Sequence, residues 1–208
     1  HYGRQYIDDG DIAAVAAVLR GDWLTQGPAV DEFEQKFADY VGAAHAVAFA
    51  NGTAAIHGAY YAAGVESGDE VVTSAMTFAA TGNAALYLGG VPRFGDIDPG
   101  TLCLDPLEAR KKISSRTKVI APVSYAGYPV DLVPFRELAD SCGAVVVEDA
   151  CHALGGTRNG VRVGREAHLT AFSFHPVKHV TTAEGGMVTT DSDEFARRMR
   201  LFRTHGIE

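Results

Sequence analysis

Apolar and polar positions along the chain form short blocks, and the spacing within each block predicts its secondary structure. After Asp8-Asp9, apolar residues recur at three- and four-residue steps until Gly21, which predicts an amphipathic helix. Pro28 suits the first turn of a second helix, which the pattern continues until Gly42. Beyond this point, short apolar runs typical of strands alternate with helical stretches.

The apolar runs predict seven strands, two of them near Leu169 and Met187 and the others at residues 45–50, 70–73, 91–96, 117–123 and 144–148. Helices are predicted from the turn at 51–53 to 63, at 77–88, 105–112 and 131–142, and from Ser192 onward. A hairpin turn is predicted at Asn159-Gly160. This alternation indicates an α/β fold with a mainly parallel, mixed seven-stranded sheet and helices on both faces.

Composition places the chain among ordinary globular proteins. Of its 208 residues, 47% are hydrophobic and 21% are charged, and no repeat or linker is visible, so we expect one domain with one sizeable core. The net charge of -8 argues against nucleic acid as a partner. Because no apolar run of about 18 residues occurs, no membrane span is expected.

The three cysteines, Cys103, Cys142 and Cys151, are scattered and form no CxxC pair. This spacing favours neither a disulfide framework nor a zinc site, so no metal is expected, and it fits a reducing, cytoplasmic setting. The first ten residues lack the features of a signal peptide. Since the sequence begins without methionine and nothing closes the domain after its last predicted helix, we expect the chain to be the front part of a longer protein.

Polar residues follow several predicted strands at the point where each strand ends. In an open α/β sheet, ligands bind in the crevice at these carboxyl ends. We therefore expect one crevice to collect residues that are spread over more than a hundred positions. They are Asn51, Gly52, Thr53, Thr77, Phe78, Ser124, Asp149, Ser173 and Lys178.

Lys178 lies in a tight turn between two apolar strands, with His175 and His179 close by. Lysines usually occupy solvated faces, so a surface lysine in a turn is one interpretation. The other is a nucleophilic amine in a partly desolvated pocket. The surroundings of Lys178 decide between the two.

Two sets of residues expected around the same crevice as Lys178 each allow a structural and a functional interpretation. Gly52 and Thr53 begin a helix, so Thr53 is either its N-cap or, with Gly52, a phosphate-binding group. Asp149 follows a buried strand and is either a helix cap or ion-pair partner, or a carboxylate that faces a protonated ring nitrogen.

Three further residues can be interpreted in the same two ways. Phe78 is either a core residue or a ring that stacks on a flat ligand. Ser173 either bonds to nearby backbone or supplies a second phosphate contact, and His152 is either structural or faces the crevice. Together, the functional interpretations specify a phosphate cradle, a stacking ring, a carboxylate for a pyridinium nitrogen and a Schiff-base lysine, which are the groups that pyridoxal 5′-phosphate (PLP) requires.

Five stretches of the sequence resemble one protein family. They are WLTQGP from Trp23, FANGTAA from Phe49, MTFAAT from Met76, VEDACHALG from Val147 and SFHPVKHVTTAEGG from Ser173. Through these stretches, essentially the whole chain resembles the DegT/StrS family of sugar aminotransferases, PLP-dependent enzymes of fold type I. The last two stretches are the most specific.

The resemblance implies roles for the residues around the crevice. Lys178 of the SFxxxK stretch forms the Schiff base with PLP, and Asp149 of the EDA stretch pairs with the pyridine nitrogen. His152 stands where the family often has glutamine, and it contacts the phenolic oxygen of the cofactor. Thr53 and Ser173 bind the phosphate.

The resemblance also implies that Phe78 stacks on the cofactor ring. Members of the family are longer, with a smaller C-terminal domain, and they are homodimers whose active sites are shared between the two chains. Further candidates for substrate or interface contacts are Trp23, Thr25, Gln26, Ser124, His179 and Glu184.

The implied reaction moves an amino group from L-glutamate to a 4-keto nucleotide sugar. The SFHPVKH form, with histidine on both sides of the lysine, is most similar to the UDP-4-keto-sugar transaminases of pseudaminic acid synthesis. The enzymes that make 4-amino-4-deoxy-arabinose are the next most similar.

Three other functions stay open at this point. Some relatives are dehydratases in which histidine replaces the lysine; Lys178 argues against this, although His179 lies next to it. A regulatory protein that binds nucleotide sugars without catalysis is another possibility. A nicotinamide-dependent oxidoreductase is weakly supported because no G-x-G-x-x-G follows the first strand, and the P-loop motif is absent from the sequence.

Overall fold

The computed structural model describes residues 4–207. Its helices are α1 (Asp9–Arg20), α2 (Pro28–Val41), α3 (Gly52–Ala62), α4 (Ala80–Tyr87), α5 (Pro106–Arg110), α6 (Val133–Cys142) and α7 (Asp193–Arg203). Its strands are β1 (His45–Phe49), β2 (Glu70–Ser74), β3 (Val91–Gly95), β4 (Thr117–Ala121), β5 (Val145–Asp149), β6 (Thr157–Arg158), β7 (Val161–Arg162), β8 (Leu169–Ser173) and β9 (Gly186–Thr190). Among these helices, none is long and apolar enough to cross a membrane.

Seven of the strands form one sheet in the order β1-β9-β8-β5-β4-β2-β3, and β6 and β7 form a separate hairpin. β9 is antiparallel to both of its neighbours, β1 and β8, whereas the other neighbouring strands are parallel. β9 differs because a loop, and not a helix crossing the sheet, joins it to β8. The mixed, mainly parallel α/β sheet expected from the sequence is therefore confirmed.

Both faces of the sheet are buried under helices. In β5, Val147 lies in the core beneath α3 and α7, whereas Val146 lies in the core beneath α6. Successive side chains of a strand point to opposite faces, and β5 is buried on both faces. This is why apolar residues follow one another at its start. The same alternation places the next two residues, Glu148 and Asp149, on opposite faces of the sheet.

Most predicted elements are confirmed, including the hairpin at Asn159-Gly160, where φ values of 50° and 80° are those of a type I′ turn. α4 is an exception, since it begins at Ala80 and not at Thr77. The backbone N–H of Thr81 donates to the carbonyl of Phe78 at 3.2 Å, and the Thr81 hydroxyl lies 3.3 Å from the same carbonyl, so local bonds replace the helical bond there. Thr77 and the following residue therefore belong to the loop before α4.

The helix predicted after Asp8 is confirmed, and Asp8 and Asp11 form a capping box at its start. None of the residues of α1 is buried, and Ile12, Val15 and Leu19 on its apolar side are each more than half exposed. The periodicity thus identified the helix correctly, but its apolar side does not face the core of the described residues.

Candidate active site

A crevice of about 400 Å³ lies where the carboxyl ends of β1, β4, β5 and β8 meet. Of the residues expected around one crevice, all but Ser124 line it, as do two further predicted site residues. The lining residues predicted from the sequence are Asn51, Gly52, Thr53, Thr77, Phe78, Asp149, His152, Ser173, Lys178 and Glu184. The topology of the sheet therefore gathers side chains that are far apart in the sequence.

The N-terminus of α3 forms one end of the crevice. The side chain of Asn51 accepts a hydrogen bond from the backbone N–H of Ala54 at 2.9 Å, so Asn51 is the N-cap, and the N-cap interpretation of Thr53 is wrong. The amides of Gly52 and Thr53 lie in the first turn, where a helix has no internal acceptor for them. These amides and the Thr53 hydroxyl form a donor set suited to a phosphate.

Ser173 faces this end because Gly52 has no side chain. A Cβ atom at Gly52 would lie 2.8 Å from the Cβ of Ser173 and 3.1 Å from its hydroxyl oxygen. Gly186, at the start of β9, is equally tightly placed, since a Cβ atom there would overlap the carbonyl oxygen of Asn51. Both glycines allow the ends of β8 and β9 to approach the turn before α3 closely.

Lys178 lies in the loop that joins β8 to β9. The base of this loop is closed by a 2.8 Å hydrogen bond from the backbone N–H of Phe174 to the carbonyl of Gly185, and the Phe174 side chain is almost fully buried. The backbone N–H of Lys178 donates to the carbonyl of His175 at 2.8 Å, which confirms the tight turn. Two buried strands therefore support a loop that places a half-buried lysine at the crevice.

Asp149 ends β5 and is only 5% exposed. Its Oδ2 accepts a hydrogen bond from the hydroxyl of Thr81 at 2.6 Å, and its Oδ1 accepts one from the backbone N–H of Cys151 at 3.1 Å. A buried carboxylate is costly unless donors satisfy it, and here each oxygen has one. Asp149 thus lines the crevice as a satisfied carboxylate that can still accept a hydrogen bond from a ligand.

Glu148, the neighbour of Asp149, lies on the other face of the sheet and is fully buried. Its carboxyl accepts hydrogen bonds from the hydroxyls of Ser124 at 2.6 Å and Thr170 at 3.3 Å. Burial raises the pKa of Glu148 to about 7, although both hydroxyls act in the opposite direction. The expectation that Ser124 faces the crevice is therefore wrong, because its hydroxyl is directed to Glu148.

Phe78 and His152 lie on the sides of the crevice. Phe78 is 71% exposed, so the interpretation of this ring as core is wrong, and the ring is free to stack on a flat ligand. His152 is half-buried, with its ring centroid 6.3 Å from that of Tyr125. Burial, with the charges of Lys178 and His179, lowers the pKa of His152, although Asp149 acts in the opposite direction. The neutral imidazole is therefore favoured.

Four predicted contacts lie elsewhere in the part of the chain that the structure describes. Trp23, Thr25 and Gln26 are exposed in the loop before α2 and do not line the crevice. His179 is also exposed, and the histidine of this loop that lines the crevice is His175.

The structure also brings in residues that sequence reasoning did not assign to the site. Cys151, Tyr125 and Val177 line the crevice, and Thr81 bonds to Asp149 from behind it. The only signal for Thr81 in the sequence was its place at the end of the MTFAAT stretch.

The residues of the crevice fit PLP. The first turn of α3 with Ser173 suits the phosphate, Phe78 suits the ring face, Asp149 suits the pyridine nitrogen, and Lys178 supplies the amine. A mixed α/β sheet that carries this set at its carboxyl edge is the fold of the PLP-dependent enzymes of fold type I.

Comparison with known proteins agrees with this class. The chain belongs to the DegT/DnrJ/EryC1/StrS aminotransferase family, which it matches over residues 5–208. It is 40% identical over 206 residues to the spore coat polysaccharide biosynthesis protein SpsC of Bacillus subtilis, covering 99% of this chain and 53% of that protein.

Two solved structures extend the comparison. Helicobacter pylori PseC, an aminotransferase involved in the biosynthesis of pseudoaminic acid, superposes with a TM-score of 0.95 at 36% identity, covering 100% of this chain and 56% of that one. Spr1654 of Streptococcus pneumoniae in its PLP form gives a TM-score of 0.93 at 30% identity, covering 99% and 58%. The chain thus spans about half the length of these proteins, and PLP is the cofactor that the family and the crevice indicate.

Proposed function

We propose that this chain forms the large domain of an aminotransferase that moves an amino group from L-glutamate to a 4-keto nucleotide sugar. In this proposal residues 1–208 comprise the PLP-binding domain and an N-terminal helical segment, and a smaller C-terminal domain follows. The observation that carries the proposal is that Lys178, Asp149 and the first turn of α3 face one crevice.

The residues of the crevice suit the two halves of such a transfer. Bound PLP supplies the electron sink. Lys178 would hold the cofactor through its amine and, once released, would act as general base and then acid, moving the proton between the α-carbon of the donor and C4′ of the cofactor. Asp149 would keep the pyridine nitrogen protonated, and Phe78 would fix the plane of the ring. The same residues would serve the second half of the transfer, in which the nitrogen is delivered to the 4-keto carbon of the sugar.

We assign the acceptor to the UDP-4-keto-6-deoxy-N-acetyl amino sugars. The similarity to PseC supports this choice, as does the histidine-flanked SFHPVKH stretch. Glu184 and His175 line the crevice near Lys178, where they can bond to hydroxyl or amide groups of a sugar. His179, exposed on the same loop, is a third candidate there.

We further propose a homodimer whose two chains share each active site. Trp23 and Leu24 are 64% and 68% exposed, and large apolar side chains of this kind are typical of surfaces that a partner covers. Thr25 and Gln26 of the same loop would then contact the crevice of the partner. A reducing, cytoplasmic location agrees with the three cysteines, which are all free.

The test uses the full-length protein loaded with PLP. Addition of L-glutamate should bleach the visible absorbance of the lysine-bound cofactor, and subsequent addition of a 4-keto UDP-sugar should restore it and yield the 4-amino sugar. A 4-keto dTDP-sugar serves as the matched acceptor control. If glutamate leaves the absorbance unchanged, the result would argue against aminotransfer. If the dTDP-sugar restores the absorbance and the UDP-sugar does not, the result would argue against the assigned acceptor.

A further inference from the structure

Thr81 and Asp149 are 68 positions apart in the sequence and are joined by a hydrogen bond between the Thr81 hydroxyl and Oδ2 of Asp149. Thr81 is fully buried, and the oxygens are 2.6 Å apart. This distance is typical of a hydroxyl that donates to an ionised carboxylate. Asp149 lines the crevice, whereas Thr81 contacts it from the protein side.

The proton of the Thr81 hydroxyl has several acceptors within reach. The carbonyl of Phe78 lies at 3.3 Å, the hydroxyl of Thr77 at 2.7 Å and the carboxylate of Asp149 at 2.6 Å. A hydroxyl has one proton, and the charged acceptor binds it most strongly. The Thr77 hydroxyl then donates to a lone pair of Thr81, which orients the Thr81 hydroxyl towards Asp149.

The backbone of Thr81 is also held in place. The buried hydroxyl of Tyr60 in α3 donates to the carbonyl of Thr81 at 3.0 Å. On the opposite side of the carboxylate, the backbone N–H of Cys151 donates to Oδ1 of Asp149. Each carboxylate oxygen therefore has one fixed donor, and the lone pairs that remain are available to the crevice.

We propose that Thr81 is a positioning residue for Asp149: its hydroxyl holds the carboxylate oriented towards the pyridine nitrogen of PLP. This inference rests on the proposed function, since it assumes that PLP occupies the crevice. It adds a residue that lies outside the crevice and acts only through Asp149.

Three variants of the full-length protein separate the hydroxyl of Thr81 from its packing. Thr81→Val keeps the shape and removes the hydroxyl, whereas Thr81→Ser keeps the hydroxyl and removes the methyl group. Thr73→Val is the matched control, because Thr73 is also fully buried and its hydroxyl donates at 2.7 Å, but to the carbonyl of Ala121. The measurements are PLP affinity from an absorbance titration and the melting temperature of the protein without PLP.

Thr81→Val should weaken PLP binding about tenfold, which is the effect of losing one hydrogen bond to a charged group. Thr81→Ser and Thr73→Val should bind PLP within about twofold of the unsubstituted protein. Should Thr81→Val fail to fold, Thr81→Ala compared with Thr81→Ser makes the same test, since these two differ only in the hydroxyl.

Two outcomes would overturn the inference while leaving the proposed function intact. In the first, Thr81→Val binds PLP as tightly as the unsubstituted protein does. In the second, Thr81→Ser binds PLP as weakly as Thr81→Val does. Failure of the unsubstituted protein to bind PLP would overturn the proposed function, and this inference with it.

Discussion

At the scale of single residues, two adjacent carboxyl groups have different environments. Glu148 and Asp149 are adjacent in β5, yet the alternation of the strand sends them to opposite faces. Asp149 accepts hydrogen bonds from a hydroxyl and a backbone N–H, and it lines the crevice. Glu148 accepts hydrogen bonds from two hydroxyls inside the core, and burial raises its pKa to about 7.

The raised pKa of Glu148 predicts that the stability of the folded protein depends on pH. Its folded pKa of about 7 lies above the ordinary value of 4.5, so the folded state holds the proton more tightly. The contribution of Glu148 to stability is therefore complete below about pH 4.5 and is lost as the pH rises through 7. The free energy of unfolding can be measured with urea at about pH 5 and about pH 8.5. Between these two pH values, Glu148→Gln should gain about 3 kcal/mol of this free energy relative to the unsubstituted protein. A difference that does not change with pH would contradict the assignment.

Phe78 provides a second test at this scale, because an exposed ring contributes little to the core. Phe78→Ala should change the free energy of unfolding by less than about 0.5 kcal/mol. It should weaken PLP binding by up to about tenfold through the loss of ring stacking. Leu107→Ala, at a similarly exposed position on α5, should change neither quantity. PLP affinity that is equal in both variants would argue against stacking.

At the scale of elements, α7 is joined to α2 and β1 through one buried carboxylate. Glu34 of α2 is 6% exposed and accepts hydrogen bonds from Arg203 of α7 and from the backbone N–H of Ala48. Arg203 also donates to the carbonyl of Ala48 at 3.1 Å. This ion pair connects the last described helix to the edge of the sheet.

Removing one partner of this ion pair should destabilise the domain strongly. Arg203→Met leaves the buried Glu34 carboxylate without its nearest cation and should cost about 3 kcal/mol in urea unfolding. The control is Arg197→Met on the same helix, whose ion pair with Glu194 is exposed and should contribute less than about 1 kcal/mol. Similar losses in the two variants would show that burial does not decide the strength of the pair.

The sequence predicted these elements well because apolar periodicity and caps are local signals. Asp8 and Ser192 cap helices where they were expected, and the Asn159-Gly160 turn has the positive φ values of its type. The start of α4 could not be predicted, since it depends on bonds to the carbonyl of Phe78 that form only in the folded loop. The exposed apolar side of α1 is a similar case, because periodicity locates an apolar face but not what covers it.

At the scale of the whole molecule, the alternating pattern predicted the α/β sheet, and the rule for carboxyl strand ends predicted which residues meet. The rule failed at Ser124, because the backbone position was right but the hydroxyl bonds to Glu148 on the other face. It could not find Thr81, which reaches Asp149 from α4 and not from a strand end. Side-chain direction and contacts between layers are therefore what the sequence alone did not supply.

The central claim, that Lys178 is the amine that bonds to PLP, is tested most directly by chemical trapping. The full-length protein loaded with PLP is reduced with borohydride, which makes the Schiff base permanent, and is then digested and analysed by mass spectrometry. We expect the added mass on the peptide that contains Lys178, and no added mass in Lys178→Ala treated in the same way. Label on another lysine, or label of Lys178→Ala to the same extent, would contradict the claim.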